Sequence, residues 1–570
     1  MKPNLLCVGV VASLGILFAP QSGTSAELII TGGDIVTVNE LQPQAEAVAV
    51  NGGRIVAVGY RDEVMKLMEP GAKVIDLGGK TLVPGFIDAH GHAFSCGIQA
   101  IAANLFAAPD GNVKDIASLQ NTLRQWAKAD STRKFDGWIY GTGYDDSQLK
   151  EQRHPNRVDL DAVSKDVPIV VVHQSGHLMA LNSKALELAG ITAATPDPPG
   201  GVIRRKPGTR EPDGVLEEAA RAMVSKVLPL GGAGKDQMIA RAAQDIYFRH
   251  GFTTAQEGKS SPSLDAVWAS LAEKGDLKID VVSYPNITLA DKAMKSPYAG
   301  RQYKNHFRIG GVKLSQDGSP QGKTAWLTKP YFKAPPGRKE DYAGYPALKD
   351  EQVIAFVDQA FASGWQILSH VNGDAAADQF IRAVRSAEQK YGKADRRPVA
   401  IHAQTVRDDQ IAAFQELGII PSFFTMHTYY WGDWHRRSVL GPERGSNISP
   451  TGWAMKRGMI FTAHHDAPVA FPNAIRVLSA TVTRVARGSG DVVGPEHCVS
   501  PLTGLKSITL WAAYQYFGEK TKGSIEVGKL ADFVVLSDNP LKIDPRKIAD
   551  IKVLETIKAG QSIYRRKSAD

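Results

Sequence analysis

Cysteine is nearly missing from this chain: Cys7, Cys96 and Cys498 are the only thiols in 570 residues. That scarcity excludes a disulfide-stapled scaffold and leaves a bridge between Cys96 and Cys498 undecided. An excess of one charge is missing too. Lys plus Arg number 67 against 59 Asp plus Glu, a balance of +8; no basic run or basic helix face concentrates it, which excludes an electrostatic footprint for nucleic acid. No glycine-rich phosphate loop follows any strand-like run, so an open doubly wound sheet that binds dinucleotides is only the runner-up architecture. Beyond the N-terminus no apolar run is long enough to cross a bilayer.

The N-terminus has its own pattern. Lys2 precedes an uncharged apolar stretch over residues 5–20, followed by the polar QSGTSA and a strand-like ELIITGG. Charge, apolar core and small residues in that order predict a secretory signal over residues 1–26, cleaved after Ala26. A membrane anchor fits less well, because a spanning helix needs roughly 20 apolar residues. The mature protein is therefore expected to be secreted or periplasmic, without stable membrane insertion, and Cys7 leaves with the signal.

Residues 27–82 give short alternating runs, LIITGGDIVTV, AVAVNGGRIVAVG and AKVIDLGGKTLV, punctuated by Gly-Gly and Asn-Gly turns. The C-terminal stretch, 501–570, has the same texture in SIEVGKLADFVVL and IKVLETIKAGQSIYRR, so the two ends are expected to share a small β-sandwich. Between them RIGGVKLS, WQILSH, PVAIHA, GIIPSFF and GMIFTAHHD alternate with helix-like stretches such as 352–362 and 375–391. With GFTTAQE, IDVVSYPNI and the run ending at His90, the strands number eight. The predicted fold class is α/β, a (β/α)8 TIM-type barrel over residues 83–500, whose chemistry belongs at the C-terminal ends of strands. The interval at about 93–250 is too long for one βα connection and reads as an insertion over the barrel mouth.

Residues 83–92, VPGFIDAHGH, place two imidazoles two positions apart where an apolar run ends. On a strand, alternate side chains share a face, so His90 and His92 can grip one metal ion. Chance or a hydrogen-bonded core pair explains most isolated H-x-H pairs. Other strand ends offer partners: Lys313 in GGVKLSQDGS, His370 in ILSHVNGD, His402 in VAIHAQ and Asp466 in TAHHDAPV. Each alone has a bland reading, a solvated lysine or a satisfied core histidine; their occurrence together, in order, carries the weight. Imidazole and carboxylate donors suit zinc, in a site that keeps a position open for water.

These motifs resemble the amidohydrolase superfamily, and more closely its YtcJ-like branch, which includes N-substituted formamide deformylases. The likeness runs through VPGFIDAHGH, GHLMALNSKAL, GGVI with DGVLEE, GFTTAQEG, VKLSQDGS, SHVNGD, IHAQ, DAPV and KGSIEVGKLADFVVL. It implies that His90 and His92 hold one divalent metal and His370 and His402 a second. It also implies that Lys313, carboxylated by CO2 to a carbamate, bridges the two, and that Asp466 contacts the first metal and the attacking water. Two departures bear on the substrate: AHHDAPV puts His464 and His465 before the aspartate, and DGSPQG makes Gln321 a candidate substrate contact.

The expected chemistry is hydrolysis of a small-molecule substrate by metal-activated hydroxide, with Asp466 as general base and the proton passed on to the leaving nitrogen. His177 is the candidate for the oxyanion, with a structural role in the insertion as its alternative. His427 and Trp431, in the aromatic stretch FFTMHTYYWGDWH, are candidates for a substrate wall, with plain core packing as the alternative. The expected substrate is a small amide, formamide or cyclic amide. The alternatives are an ester, lactone or N-acyl amino acid at the same centre, or a non-catalytic binding or regulatory protein on the same barrel. A homo-oligomer is compatible with the sequence, which does not fix the state.

Overall fold

The computed structural model describes residues 25–567 apart from 130 and 336. The expected signal thus lies outside the described residues except for its last two positions, Ser25 and Ala26, and Ala26 already opens the first strand, Ala26–Val36. Among the described residues no helix is long and apolar enough to cross a membrane.

The strands expected to form the barrel make two all-parallel ladders. One joins Phe86–Ile87, Phe252–Ser260, Asp280–Pro285 and Phe307–Ile309; the other joins Gly311–Ser315, Gln366–Val371, Val399–His402, Ile420–Phe423 and Thr462–Ala463. Gly310 alone separates Phe307–Ile309 from Gly311–Ser315, so the ladders supply the eight expected strand positions. A parallel bridge between Asn286 and Lys313 joins them at one seam. At the other, Asp466 N donates to His90 O (3.1 Å) and His92 N to Ala467 O (2.8 Å). This is a TIM-barrel fold.

Sequence pattern explains the layers. Asp280–Pro285 and Val399–His402 are buried along their whole length, as strands of a parallel sheet covered on both faces must be. Helix Asp350–Ala362 buries Val353, Val357, Ala360 and Phe361, the stripe of an amphipathic helix. The first and last strands are shorter than predicted, two residues each. There the backbone leaves the ladder early: His90 N donates to Asp88 Oδ1 at 3.0 Å, and Asp466 takes a left-handed φ of 53°.

Between Ile87 and Phe252 the chain builds a separate six-stranded sheet containing Ile139–Tyr144, Ile169–His173, Leu178–Leu181 and Pro212–Glu218. Alternation sorts its side chains: Tyr140, Val170 and Leu216 join one apolar cluster, while Ile139, Val171 and Val215 join the other. The two ends of the chain share one eight-stranded sheet, in which Thr81–Pro84 pairs antiparallel with Phe533–Leu536. Where a sandwich was expected, the strand pairing is that of a single sheet. Helix Leu510–Gln515 packs below the last barrel strand, and Gln515 Nε2 donates to Ala89 O at 2.7 Å. Cys96 is buried and Cys498 exposed, and both are free thiols.

Helix Ala93–Ile101 starts directly after His92 and packs on helix Ala233–Arg249. The contact is close: a Cβ on Gly97 would stand 2.1 Å from Ile239 O. Gly97→Ala is expected to cost about 1–3 kcal/mol by overpacking and to loosen the H-x-H turn. Urea unfolding and metal retention after gel filtration check both, with Gly234→Ala, where a Cβ meets nothing within 4 Å, as the control.

Candidate metal centre

Five strand ends deliver the six predicted side chains, and the barrel gathers them at one end. His90 Nε2 and His92 Nε2 lie 3.3 and 3.4 Å from Asp466 Oδ1, and His402 Nε2 lies 3.9 Å from Asp466 Oδ2. Lys313 Nζ is 3.2 Å from His90 Nε2. The His370 ring centroid is 4.5 Å from that of His402. Ligand atoms of His90, His402 and Asp466 all fall within 4.8 Å of one another. His402 and Asp466 both sit at positive φ, 73° and 53°. Such strain costs of order 1–3 kcal/mol per residue and collects at functional sites.

Partners behind the site fix which ring nitrogen faces inward. His90 Nδ1 bonds Gln256 Oε1, and His92 Nδ1 bonds Gly258 O at 2.6 Å, so both Nε2 atoms remain for the centre. His402 Nδ1 bonds His464 Nε2 at 3.1 Å, and His464 Nδ1 bonds Ser422 Oγ at 3.0 Å. His370 Nδ1 bonds Asp317 Oδ1 at 3.2 Å, and Asp317 also accepts from Asn372 N and Gly373 N. Asn372 Nδ2 reaches His370 Nε2 at 3.3 Å. Gly91 is required between His90 and His92, since a Cβ there would meet Asp88 Oδ2 at 2.6 Å and Tyr247 OH at 2.7 Å.

Burial sets the electrostatics. Desolvation, with the Lys313 charge second, holds His90 well below the usual histidine range. Desolvation and the neighbouring His370 do the same to His402. Burial pulls the Lys313 amine down to about 7 against the opposing pull of Asp466. His90 and His402 are therefore neutral and able to donate lone pairs at neutral pH. The donor set fits a divalent ion on one further observation: Asp466 Oδ1 is buried with no hydrogen-bond partner, although two Nε2 atoms lie within 3.4 Å of it.

The other predicted residues fall into two groups. His177, on the insertion, bonds Glu218 Oε2 through Nδ1 at 2.9 Å, and its charge acts on His370, so the insertion reaches the mouth. His427 and Trp431 are buried: His427 Nδ1 bonds His435 Nε2 at 2.9 Å, and Trp431 Nε1 donates to Asp145 Oδ2 at 2.9 Å. With Phe424, which stacks on His464, they form an aromatic wall behind the centre. The Gln321 carbonyl accepts from Trp434 Nε1 at 3.0 Å, and its Oε1 is buried without a donor. His464 faces the site, while His465 points away with Nε2 3.3 Å from Asp88 Oδ1, the alternation a strand imposes.

Sequence reasoning missed Gln256, Asp317 and Glu218, although each lies inside a motif already singled out: TTAQEG, LSQDGS and VLEE. A second group of metal-ligand side chains, Asp146, His154 and His173, gathers on the insertion. There Ser175 N donates to His173 Nδ1 at 3.1 Å and His173 Nε2 bonds Asp146 Oδ1 at 3.0 Å, the arrangement of a hydrogen-bonded pair.

A parallel barrel with neutral imidazoles, a buried amine and an unsatisfied carboxylate at its strand ends defines a metal-dependent hydrolase. Residues 73–564 match the amidohydrolase family, and the chain belongs to that family, within the branch of YtcJ and the N-substituted formamide deformylases. It is 26% identical over 558 residues to the YtcJ protein of Bacillus subtilis (strain 168), covering 94% of this chain and 98% of the relative. It is likewise 26% identical over 570 residues to the N-substituted formamide deformylase of Arthrobacter pascens, covering 95% and 98%. An uncharacterized metal-dependent hydrolase from Pyrococcus horikoshii OT3 shares the fold, with a TM-score of 0.73 at 23% identity over 91% of this chain and 99% of that one.

Gln256→Leu removes the acceptor that orients His90 and is expected to weaken metal affinity about 10–100-fold, read by competition with a chromogenic chelator. Lys313 sets a pH dependence. Its folded pKa of about 7 lies below its ordinary 10.5, so between these values the unfolded chain holds the extra proton and stability rises with pH. Metal-free Lys313→Met is expected to be more stable than metal-free wild type at pH 7, with the difference closing toward pH 10.5 in denaturation curves run across pH.

Proposed function

We propose that this protein is an exported hydrolase that opens the carbon–nitrogen bond of a small amide, formamide or cyclic amide, with zinc as its metal. The observation that carries the reading is the buried, unpartnered Oδ1 of Asp466 beside the inward-facing Nε2 atoms of His90 and His92. His90, His92, His370, His402 and Asp466 would hold the metal, with Lys313, once carboxylated to a carbamate, as a further anionic donor. Desolvation supports that donor, because an amine near pKa 7 is in good part neutral at neutral pH and the neutral amine captures CO2 as a carbamate.

A divalent ion held there supplies Lewis acidity and lowers the pKa of a water molecule to about 7. Asp466 accepts the proton of the attacking water at its carboxylate and returns it to the leaving nitrogen. His177, steadied through Nδ1 by Glu218, offers Nε2 to the developing oxyanion. Phe424, His427 and Trp431 keep water from the far side of the centre, and Gln321 Oε1 is left to accept a substrate hydrogen. Export rests on the signal pattern of residues 1–26, and the separate apolar clusters of the insertion support its treatment as a unit of its own.

Asp466→Asn is expected to lower kcat on aryl formamides about 10²–10⁴-fold, the usual worth of general acid–base help, while part of the metal is retained. Elemental analysis alongside steady-state kinetics reads both quantities. Wild-type turnover in the variant would refute this proton route. Anomalous scattering around Lys313 reports the metal count and the chemical form of the lysine together.

A further inference from the structure

The insertion carries a donor set of its own. Strands Ile139–Tyr144 and Ile169–His173 run parallel with Tyr144 opposite His173, so their C-terminal ends open on the same side. Asp145 and Asp146 follow the first strand, His173 ends the second, and His154 comes from the loop that leads to helix Arg157–Asp161. Ligand atoms of Asp146, His154 and His173 all lie within 4.8 Å of one another. His173 Nε2 is 3.0 Å from Asp146 Oδ1 and 3.8 Å from Asp145 Oδ1, and His154 Nε2 is 3.7 Å from Asp146 Oδ2. Zinc bonds of about 2.0–2.2 Å set tetrahedral donors roughly 3.3–3.6 Å apart, so these separations bracket what one ion needs.

His154 is the residue that points to a ligand. Its side chain is only 8% exposed, yet Nε2 makes no hydrogen bond among the described residues; Nδ1 is held 3.2 Å from Tyr144 OH, which aims Nε2 at Asp146 across a gap too wide for a hydrogen bond. A buried ring nitrogen normally has a partner. His173 is set the same way round, with Ser175 Oγ 2.8 Å from Nδ1 and Nε2 facing the carboxylates. As a hydrogen-bonded pair, His173 donates from Nε2 to Asp146 while Nδ1 accepts from Ser175 N at 3.1 Å. A cation exchanges this for the other tautomer: Nδ1 donates to Ser175 Oγ, Nε2 gives its lone pair to the ion, and only the bond from Ser175 N is lost. The Asp146 side chain, 35% exposed, is the path from solvent.

We propose that Asp146, His154 and His173 form a separate zinc site on the insertion, and that the ion bound there clamps the insertion to the barrel. Two imidazoles and a carboxylate are donors that suit zinc, and the Asp145 carboxylate beside them balances the second charge of the ion. The clamp follows from what the same short segments touch. Asp145 Oδ2 accepts from Trp431 Nε1 of the barrel at 2.9 Å, and Asp145 Oδ1 is fixed by Ser147 N and Oγ at 2.9 and 2.7 Å. Gln174, directly after His173, donates from Nε2 to Val469 O at 2.8 Å, three residues beyond Asp466. An ion that ties His154, His173 and Asp146 together therefore holds both segments in the positions from which they reach the barrel. The proposal does not depend on the reaction at the barrel's strand ends.

The test titrates zinc into the chelator-stripped full chain and into His154→Gln and Asp146→Asn, counting bound metal by elemental analysis after gel filtration. The wild type is expected to hold one zinc more per chain than either variant, and the variants to lose more affinity at that position than the roughly 10–100-fold that an outer-shell change costs. Anomalous scattering at the zinc edge on wild-type crystals needs no variant, and is expected to show a peak bonded to His154 Nε2 and His173 Nε2. Equal zinc counts in wild type and both variants, or no peak between these rings, overturns the site. Limited proteolysis reads the clamp: zinc is expected to slow cleavage within residues 93–250 of the wild type several-fold more than in His154→Gln. Binding of the additional zinc with no such difference in cleavage overturns the clamp.

Discussion

The molecule depends on an electrostatic constraint: imidazoles, an amine and a carboxylate are gathered at the strand ends, where burial makes charge costly without a partner. Burial depresses His90, His402 and Lys313 together, so positive charge that belongs in water is driven off the donors. What remains is a set of lone pairs facing a carboxylate oxygen that no protein hydrogen reaches. A metal ion resolves that imbalance, and the barrel is the frame that keeps the groups from relaxing apart.

The frame does this by ending strands early. Phe86–Ile87 and Thr462–Ala463 contribute little to the ladder, and the residues beyond them, freed from sheet geometry, bond across the seam from His92 to Ala467 and from Asp466 to His90. The same contacts that close the ring thereby set the spacing between the His90–His92 pair and Asp466. Below, Gln515 and Tyr516 hold the carbonyls of Ala89 and Asp88. Above, the insertion carries His177 and Glu218, which bond each other at 2.9 Å.

Much of the site was legible because its chemistry falls at predictable places. His90, His92, Lys313, His370, His402 and Asp466 each end an apolar run, and the alternating βα pattern tells which ends share a rim. The orienting partners were not legible as such. Gln256 and Asp317 are ordinary polar residues until the fold sets them behind His90 and His370, and nothing in spacing distinguishes them from solvated side chains. His427 and Trp431 carry two readings in the sequence, a substrate wall or core packing, and only the fold shows that packing beside Phe424 and His435 buries them.

The sequence by itself determined the family, the parallel barrel, the joining of the two chain ends in one sheet and the candidate metal residues, because periodicity and strand-end chemistry are local properties. Only the tertiary structure decided which nitrogen of each imidazole faces the centre, that burial pulls the Lys313 amine down, and that Cys96 and Cys498 stay apart as free thiols. Those properties depend on desolvation and on partners hundreds of residues away, and neither is written in the order of residues along the chain.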